Sequence, residues 1–340
     1  MRVCRGLAPG QGLWAALTLL VVAFNLRGAF TALGPVLPEV MRDLKLPAGG
    51  AGALTTVPVI CIGLAAPVAP VLARRFGAER ALLLLMLMVA VGCGLRGFAG
   101  FWPLAVGGAV LGTGIGMANV LLPGLVKRDF AERTGLMTGL YSMALAVSAA
   151  AGSGASVPLA RLAGGWSSGL VLWALPALAA AALLLVRASV PQAQDLAAHP
   201  ASKPRLWCDP LAWQVTLLMG TQSTFTYILF AWLPPLLRDH GVDAVAAGLI
   251  SAASTLTQMG GALVAPILAG RPKFQRWAAP LALSVAFAGY LLAVHATGPW
   301  ILVGTTVMGL AQGSIFSVSL MLMVLRSPDQ RMAAQLSSMA

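Results

Sequence analysis

Phe24-Asn25-Leu26-Arg27-Gly28 sets a permanent cation inside an apolar run that covers residues 12–37 and is otherwise interrupted by Thr18, Asn25 and Thr31. An apolar segment of about 20 residues crosses a bilayer as a helix. Counted from residue 12 at about 1.5 Å per residue, Arg27 stands ~22 Å along a core ~30 Å thick. A charge at such depth costs at least ~2.5 kcal/mol on insertion scales, and arginine cannot escape by deprotonating. No Asp or Glu lies within the apolar body of any other run to neutralise it. A cation so placed is expected to face a water-filled cavity and meet an anionic or strongly polar solute. The alternative is an arginine satisfied by backbone carbonyls and helix ends.

The rest of the composition agrees with a membrane chain. Of 340 residues, 59% are hydrophobic and only 9% charged, and the mean hydropathy is +0.86; soluble domains carry about 25% charge. A net charge of +12 could suggest nucleic acid, but the basic residues fall in short clusters between apolar runs, without aromatic interleaving or zinc spacing. Cys4, Cys61, Cys93 and Cys208 lie in apolar runs or in segments expected to face the cytoplasm, so neither a disulfide nor a metal site is expected. The basic start before the first run imitates a signal peptide, but the run is too long and lacks a small-x-small cleavage site, which makes it an uncleaved helix.

Ten apolar runs follow in order, over residues 12–37, 51–73, 81–97, 102–126, 135–159, 168–186, 211–237, 246–269, 277–294 and 300–325. Residues 38–47 read as a polar turn with Glu39, Arg42, Asp43 and Lys45. Residues 187–209 hold Pro191, Gln192, Asp195, His199, Pro200 and Pro204 without apolar period and read as the one long linker. The chain then divides into a six-helix half over 1–186, a cytoplasmic linker over 187–209 and a second half over 210–340.

Orientation follows from alternate loops. One set holds Arg2, Arg5, Arg74, Arg75, Arg80, Lys127, Arg128, Arg133, Arg187, Lys203, Arg205, Arg271, Lys273, Arg276, Arg326 and Arg331, sixteen in number. The other holds Arg42, Lys45, Arg96, Arg161 and Arg238, five, and Arg27 completes the 22. The positive-inside bias puts the N-terminus and the linker in the cytoplasm of an inner (plasma) membrane protein.

The halves repeat each other. Trp14 and Pro35 recur as Trp213 and Pro234 at an offset of 199, and Pro70-Val71-Leu72-Ala73 recurs as Pro266-Ile267-Leu268-Ala269 at 196. Gly112-x3-Gly116 recurs as Gly309-x3-Gly313 at 197, and Arg128-x4-Arg133 as Arg326-x4-Arg331 at 198. Equivalent helices six spans apart keep one orientation, the pattern of parallel repeats that hold a substrate between them and rock. In this register residues 332–340 match residues 134–142, so the chain is expected to stop inside an eleventh helix, with ten complete spans where duplication calls for twelve.

Two such halves with a basic loop after the second span resemble the major facilitator superfamily. The loop Pro70-Val71-Leu72-Ala73-Arg74-Arg75-Phe76-Gly77-Ala78-Glu79-Arg80 keeps the superfamily's Arg75, Gly77 and closing charge, but has Pro70 for Gly and Arg74 for Asp. Asn25-Leu26-Arg27, Gly34-Pro35-x-Leu37-Pro38-Glu39, Leu54-Thr55-Thr56-x-Pro58 and Ala73-Arg74-Arg75-Phe76-Gly77-x-Glu79-Arg80-Ala81-Leu82 together resemble the cyanate/nitroimidazole transporter branch. Trp232-Leu233-Pro234-Pro235 and Leu325-Arg326-Ser327-Pro328 are similar to its second half. The resemblance implies an all-α membrane bundle that carries a small polar or anionic solute, nitrogen-containing and cyanate-like in the branch's manner, by alternating access. Efflux of a neutral heterocyclic drug and a transport-incompetent truncated carrier are the alternatives.

Arg27 leads the candidate ligands, because a guanidinium binds a carboxylate-like or cyanate-like anion through two donors. Asn25 lies nearly on the opposite helix face and reads as a packing hydrogen bond. Gln222 and Tyr227 stand in the repeat partner of the first span, where symmetry puts them across the cavity from Arg27; Asn119, Gln258 and Gln312 are further candidates. Arg74, Arg75, Gly77, Glu79 and Arg80 read as a charged gating turn or as topology signals alone. Trp102, Trp166 and Trp300 read as interface anchors, and Arg96 as a snorkelling residue. Glu39 and His295 stand at span ends, which assigns no proton relay. A membrane enzyme would need clustered His, Asp, Glu or Ser, which three dispersed His and ten mostly loop-borne acids do not supply. No cofactor is expected, and the partners are a small solute and the lipid bilayer around a monomer.

Overall fold

The computed structural model describes residues 9–188, 210–269, 275–295 and 298–325. The chain divides into two compact units, Met1–Ala198 and His199–Ala340. The remainder of the expected linker, 189–209, and the expected start of an eleventh helix, 332–340, lie outside the described residues.

Every regular element described is helical. The first apolar run forms three helices, α1 (Pro9–Asn25), α2 (Gly28–Thr31) and α3 (Leu33–Asp43). The expected polar turn at 38–47 is corrected: helix continues through Pro38 to Asp43. The chain breaks earlier, at Leu26–Arg27 and Ala32, and Pro38 lies inside α3, where it removes one amide donor from the helix. Next come α4 (Ala48–Ala65), a 3₁₀ turn (Ala66–Val68) and α5 (Ala69–Phe76), where Pro67 and Pro70 each open a new helical segment. Gly77 ends α5 with φ of +83°, a conformation that favours glycine. The first unit closes with α6 (Ala78–Leu95), α7 (Phe101–Asp129), a 3₁₀ turn (Ala131–Arg133), α8 (Thr134–Leu162), α9 (Trp166–Leu172) and α10 (Ala174–Ala188).

The second unit contains α11 (Pro210–Asp239), α12 (Ala244–Ala269), α13 (Gln275–His295) and α14 (Trp300–Leu325). Among the described residues, seven helical stretches are long and apolar enough to cross a membrane, six in the first unit and Trp300–Val318 in the second. Their outer faces carry exposed Leu64, Leu162, Val186 and Leu302, whereas Thr18, Ser148, Ser153 and Gln312 are buried. Such a distribution suits a lipid surround.

Apolar side chains gain little by leaving lipid for one another, so close backbone packing through small residues holds membrane helices together. The first unit uses Gly112 and Gly116 of α7 against Pro58 and Ile62 of α4: a Cβ on either glycine would run into the partner's backbone. The second unit repeats the contact, with Gly309 and Gly313 of α14 against Ser254 and Gln258 of α12. A second pair of contacts also repeats. A Cβ on Gly92 of α6 would stand 2.7 Å from the Gly107 carbonyl oxygen, and one on Gly289 of α13 would stand 2.7 Å from the Met308 nitrogen, with Gly304 beside it. Gly92 and Gly107 map onto Gly289 and Gly304 at the same offset of 197 as the other glycine pair, so the sequence repeat is a repeat of helix contacts.

Candidate functional site

The first unit is organised around the interruption at Leu26–Arg27. Arg27 has φ −128° and ψ −38°, outside helical geometry, and caps α2. A break inside a membrane segment frees amides and carbonyls that must find protein partners. The Gly28 amide donates to Ser148 Oγ of α8 at 2.7 Å, and that hydroxyl donates in turn to the Phe24 carbonyl. Thr31 Oγ1 donates to the Ala149 carbonyl at 3.0 Å. Gly28 and Gly152 permit this approach, since a Cβ on Gly28 would stand 2.8 Å from the Trp173 ring and one on Gly152 would collide with Thr31. Asn25 Nδ2 donates to the carbonyls of Val21, at 2.7 Å, and Pro176, at 3.0 Å, the helix-packing role its position suggests. Arg27 is half-buried at this break, and its carbonyl accepts from the amides of Phe30 and Thr31.

Arg96 is the residue that sequence reasoning misplaced. It is 1% exposed rather than snorkelling, and its Nη1 donates to the Ala29 carbonyl at 2.9 Å. Its position one residue past α6 suggested a route to the interface. Gly107 and Gly108 of α7 instead leave a slot for its side chain, which runs inward. The signal was available as the Gly107-Gly108 pair, which clears one turn of α7 opposite the end of α6.

Trp166 is corrected too. It is 7% exposed and its indole donates to Asp43 Oδ2 at 2.9 Å, tying the end of α3 to the start of α9. Trp102 and Trp300 stand 73% and 62% exposed in the first turns of α7 and α14, at repeat-equivalent places. Asn119 is exposed on α7.

Of the expected gating turn, Glu79 alone enters the ion-pair cluster described. It pairs with Arg128 at the end of α7 and lies 3.7 Å from Arg187 of α10, while Arg187 pairs with Asp129 and Arg128 bonds Asp129 at 2.7 Å. All four side chains are largely buried, so two acids and two guanidinium groups balance where screening is weak. Arg74, Arg75 and Arg80 are exposed, Arg75 lying 5.5 Å from the Phe76 ring centroid. The partners were legible in parity, because α6 starts where α7 and α10 end.

In the second unit the structure brings Gln222 and Gln312 together. Gln312 Nε2 donates to Thr226 Oγ1 and, at 3.3 Å, to the Gln222 carbonyl, while Gln222 Nε2 donates to Thr226 Oγ1 at 3.0 Å. Gln312 Oε1 is buried without a donor. Tyr227 is half-buried, edge-on to Phe230 at 6.4 Å, and Gln258 is half-buried on α12 with its backbone against Gly313. A groove of about 360 Å³ beside Gln222 and Gln312 is walled by Leu217, Phe225, Leu283 and Phe287. In the first unit the repeat equivalents of these four walls, Thr18, Leu26, Met86 and Ala90, are buried, and α10 packs on α1 and α6 there. Among the described residues no group of three or more His, Cys, Asp or Glu comes together that could hold a metal.

The family profile of the Major Facilitator Superfamily matches residues 19–340. An uncharacterized transporter of Bacillus subtilis is 36% identical over 337 residues, covering 97% of this chain and 82% of its own. The 2-nitroimidazole transporter of Escherichia coli is 35% identical, with 95% and 82% covered, and the cyanate transport protein of the same organism 29% identical, with 94% and 83% covered. Among solved structures, a bacterial homolog of the human lysosomal transporter Spinster, inward-facing and unoccupied, superposes with a TM-score of 0.83 at 16% identity, over 98% of this chain and 80% of that one.

Proposed function

This chain belongs to the Major Facilitator Superfamily as a multi-pass membrane protein, and from that premise we propose that it carries a compact planar solute with two oxygen acceptors or a delocalised negative charge, bound by Arg27. The observation that carries the reading is the capped break at Leu26–Arg27, which sets a half-buried guanidinium in the middle of an apolar stretch. A guanidinium fork matches two acceptors in one plane. A carboxylate meets that geometry, and so does the nitro group of the solute for which one relative is named. Cyanate offers a delocalised charge to the same donors.

Gln222, Tyr227, Asn119, Gln258 and Gln312 rank behind Arg27 as solute contacts; the Gln222–Thr226–Gln312 bonds speak for a structural tie first. The cluster of Glu79, Arg128, Asp129 and Arg187 is read as a cytoplasmic latch of the transport cycle, with Arg74, Arg75 and Arg80 fixing orientation. The N-terminus is read as cytoplasmic in the plasma membrane.

The test is uptake of labelled cyanate and of 2-nitroimidazole into proteoliposomes, with thermal shift for binding. Arg27→Lys keeps the charge but loses the planar fork, so affinity should fall by about 1–3 kcal/mol, roughly 5- to 150-fold. Arg27→Ala should abolish uptake of both while membrane insertion holds, because removing an intramembrane charge eases insertion. An Arg27→Ala protein that binds both solutes with unchanged affinity overturns the reading.

A further inference from the structure

We propose that Arg96 is a positioning residue: it grips the carbonyl of Ala29 and so fixes the interrupted segment that presents Arg27. The proposal rests on the reading of Arg27 as solute ligand for its functional consequence, though not for its structural one.

Three observations converge. Arg96 is the largest fully buried side chain of the unit, and burying an uncompensated cation costs several kcal/mol. Its one described hydrogen bond goes not to a carboxylate but to Ala29, two residues after Arg27 and within the four-residue helix between the two interruptions. Its Nε is buried without an acceptor, so the side chain is not held by a wider polar network that would keep it there for its own sake. The slot is also built: a Cβ on Gly107 would stand 3.1 Å from Arg96 Cγ, and one on Gly108 would stand 3.5 Å from Nη2 and 2.9 Å from Pro58 Cγ. Two successive glycines of α7 therefore admit the arginine, and an alanine at either would press on it or on its wall.

The mechanics follow from the break. Ser148 and Ala149 of α8 hold Gly28 and Thr31 from one side. Arg96, from the end of α6, holds Ala29 between them. A segment of four residues gripped from two helices has one register, and Arg27 at its head then has one backbone orientation. Without Arg96 the segment is held from α8 alone and opens more readily, so Arg27 loses its single backbone orientation.

The test compares Arg96→Met, apolar and of similar length, with Arg96→Lys, which keeps a cationic donor. Both are made in the full chain and read by hydrogen–deuterium exchange and by the KM for cyanate and 2-nitroimidazole uptake. Replacing a buried ion by an apolar side chain is often neutral or stabilising, so Arg96→Met should match or exceed the parent in melting temperature. Exchange across residues 26–33 should nevertheless accelerate about tenfold, the size of one lost charge-assisted hydrogen bond. Residues 15–22 should keep the parent rate. KM should rise with maximal rate little changed, and Lys should recover part of both. If Arg96→Met leaves exchange at 26–33 and KM at parent values, Arg96 only fills space and the proposal falls. Raised KM with parent exchange would put Arg96 on the solute itself, which also overturns it. Should the Met variant not fold, Arg96→Gln, too short to reach Ala29, decides by the same exchange comparison. Unchanged uptake in Arg27→Ala would sink the ligand reading alone, because the exchange result at 26–33 does not depend on it.

Discussion

Gly116 lies so close to Ile62 that a Cβ there would stand 2.7 Å from the Ile62 Cα, and Gly313 meets Gln258 in the same manner in the other unit. Both contacts are backbone on backbone, so neither partner can yield by a rotamer change. Gly116→Val and Gly313→Val should each lower stability in detergent by at least ~1–3 kcal/mol, the range for overpacking. Gly63 of α4 has nothing within 4 Å of its Cβ position, and Gly63→Ala should be neutral or stabilising by up to ~1 kcal/mol. Melting temperatures of the three variants check this, and equal losses at all three would refute the contact as the cause.

The cluster at the ends of α6, α7 and α10 predicts an asymmetry among the charges of one turn. Glu79→Gln removes a carboxylate that Arg128 pairs with and Arg187 approaches in a largely buried setting. Removing one partner of such a pair costs about 3–5 kcal/mol. Arg74→Ala and Arg80→Ala, on exposed side chains, should stay within about 0.5 kcal/mol. Chemical or thermal unfolding would separate the two classes. A Glu79→Gln protein as stable as the two surface variants would show that the cluster carries no weight.

Much of the architecture was legible because the bilayer makes hydropathy decisive. The bounds of α14 coincide with the expected run at 300–325, and α7, α8 and α12 depart from theirs by three residues or fewer at each end. The glycine offsets announced the helix contacts. What sequence could not convey was tertiary satisfaction of backbone. The breaks at Arg27 and Ala32 exist because Ser148, Ala149 and Arg96 arrive from more than 60 positions away. Trp166 and Arg96 were misread for one reason. Their places near span ends fit membrane interfaces, and only the partners Asp43 and Ala29 reveal that they point inward.

Orientation yields a separate prediction. With sixteen basic residues in one set of alternate loops and five in the other, reporters fused near Gly77, Arg133 and Ser202 should read cytoplasmic. Reporters near Lys45, Gly100 and Val242 should read outside. Inverted readings at both Gly77 and Ser202 would end the charge argument.

Ser148 offers the sharpest probe of the break, because a single hydroxyl both accepts from the Gly28 amide and donates to the Phe24 carbonyl. Ser148→Ala removes no bulk beyond one oxygen, so packing losses are small. It leaves the Gly28 amide and the Phe24 carbonyl without this partner, which costs about 1–3 kcal/mol per group where they are desolvated. Ser142→Ala, on the exposed side of the same helix and bonded to the Thr138 carbonyl within its own turn, is the matched control and should cost under about 0.5 kcal/mol. Restoring continuous helix is the one way the chain can re-satisfy the Phe24 carbonyl without Ser148, since the Gly28 amide is the donor four residues on. Ser148→Ala should therefore lose uptake more steeply than stability, with exchange slowed at Gly28 if the helix has rejoined and accelerated if it has frayed. Either change at Gly28, beside unchanged exchange at residues 15–22, supports the hydroxyl as the bond that keeps the first helix in two pieces. Ser148→Ala and Ser142→Ala indistinguishable in melting temperature, exchange and uptake would mean that the break stands without it.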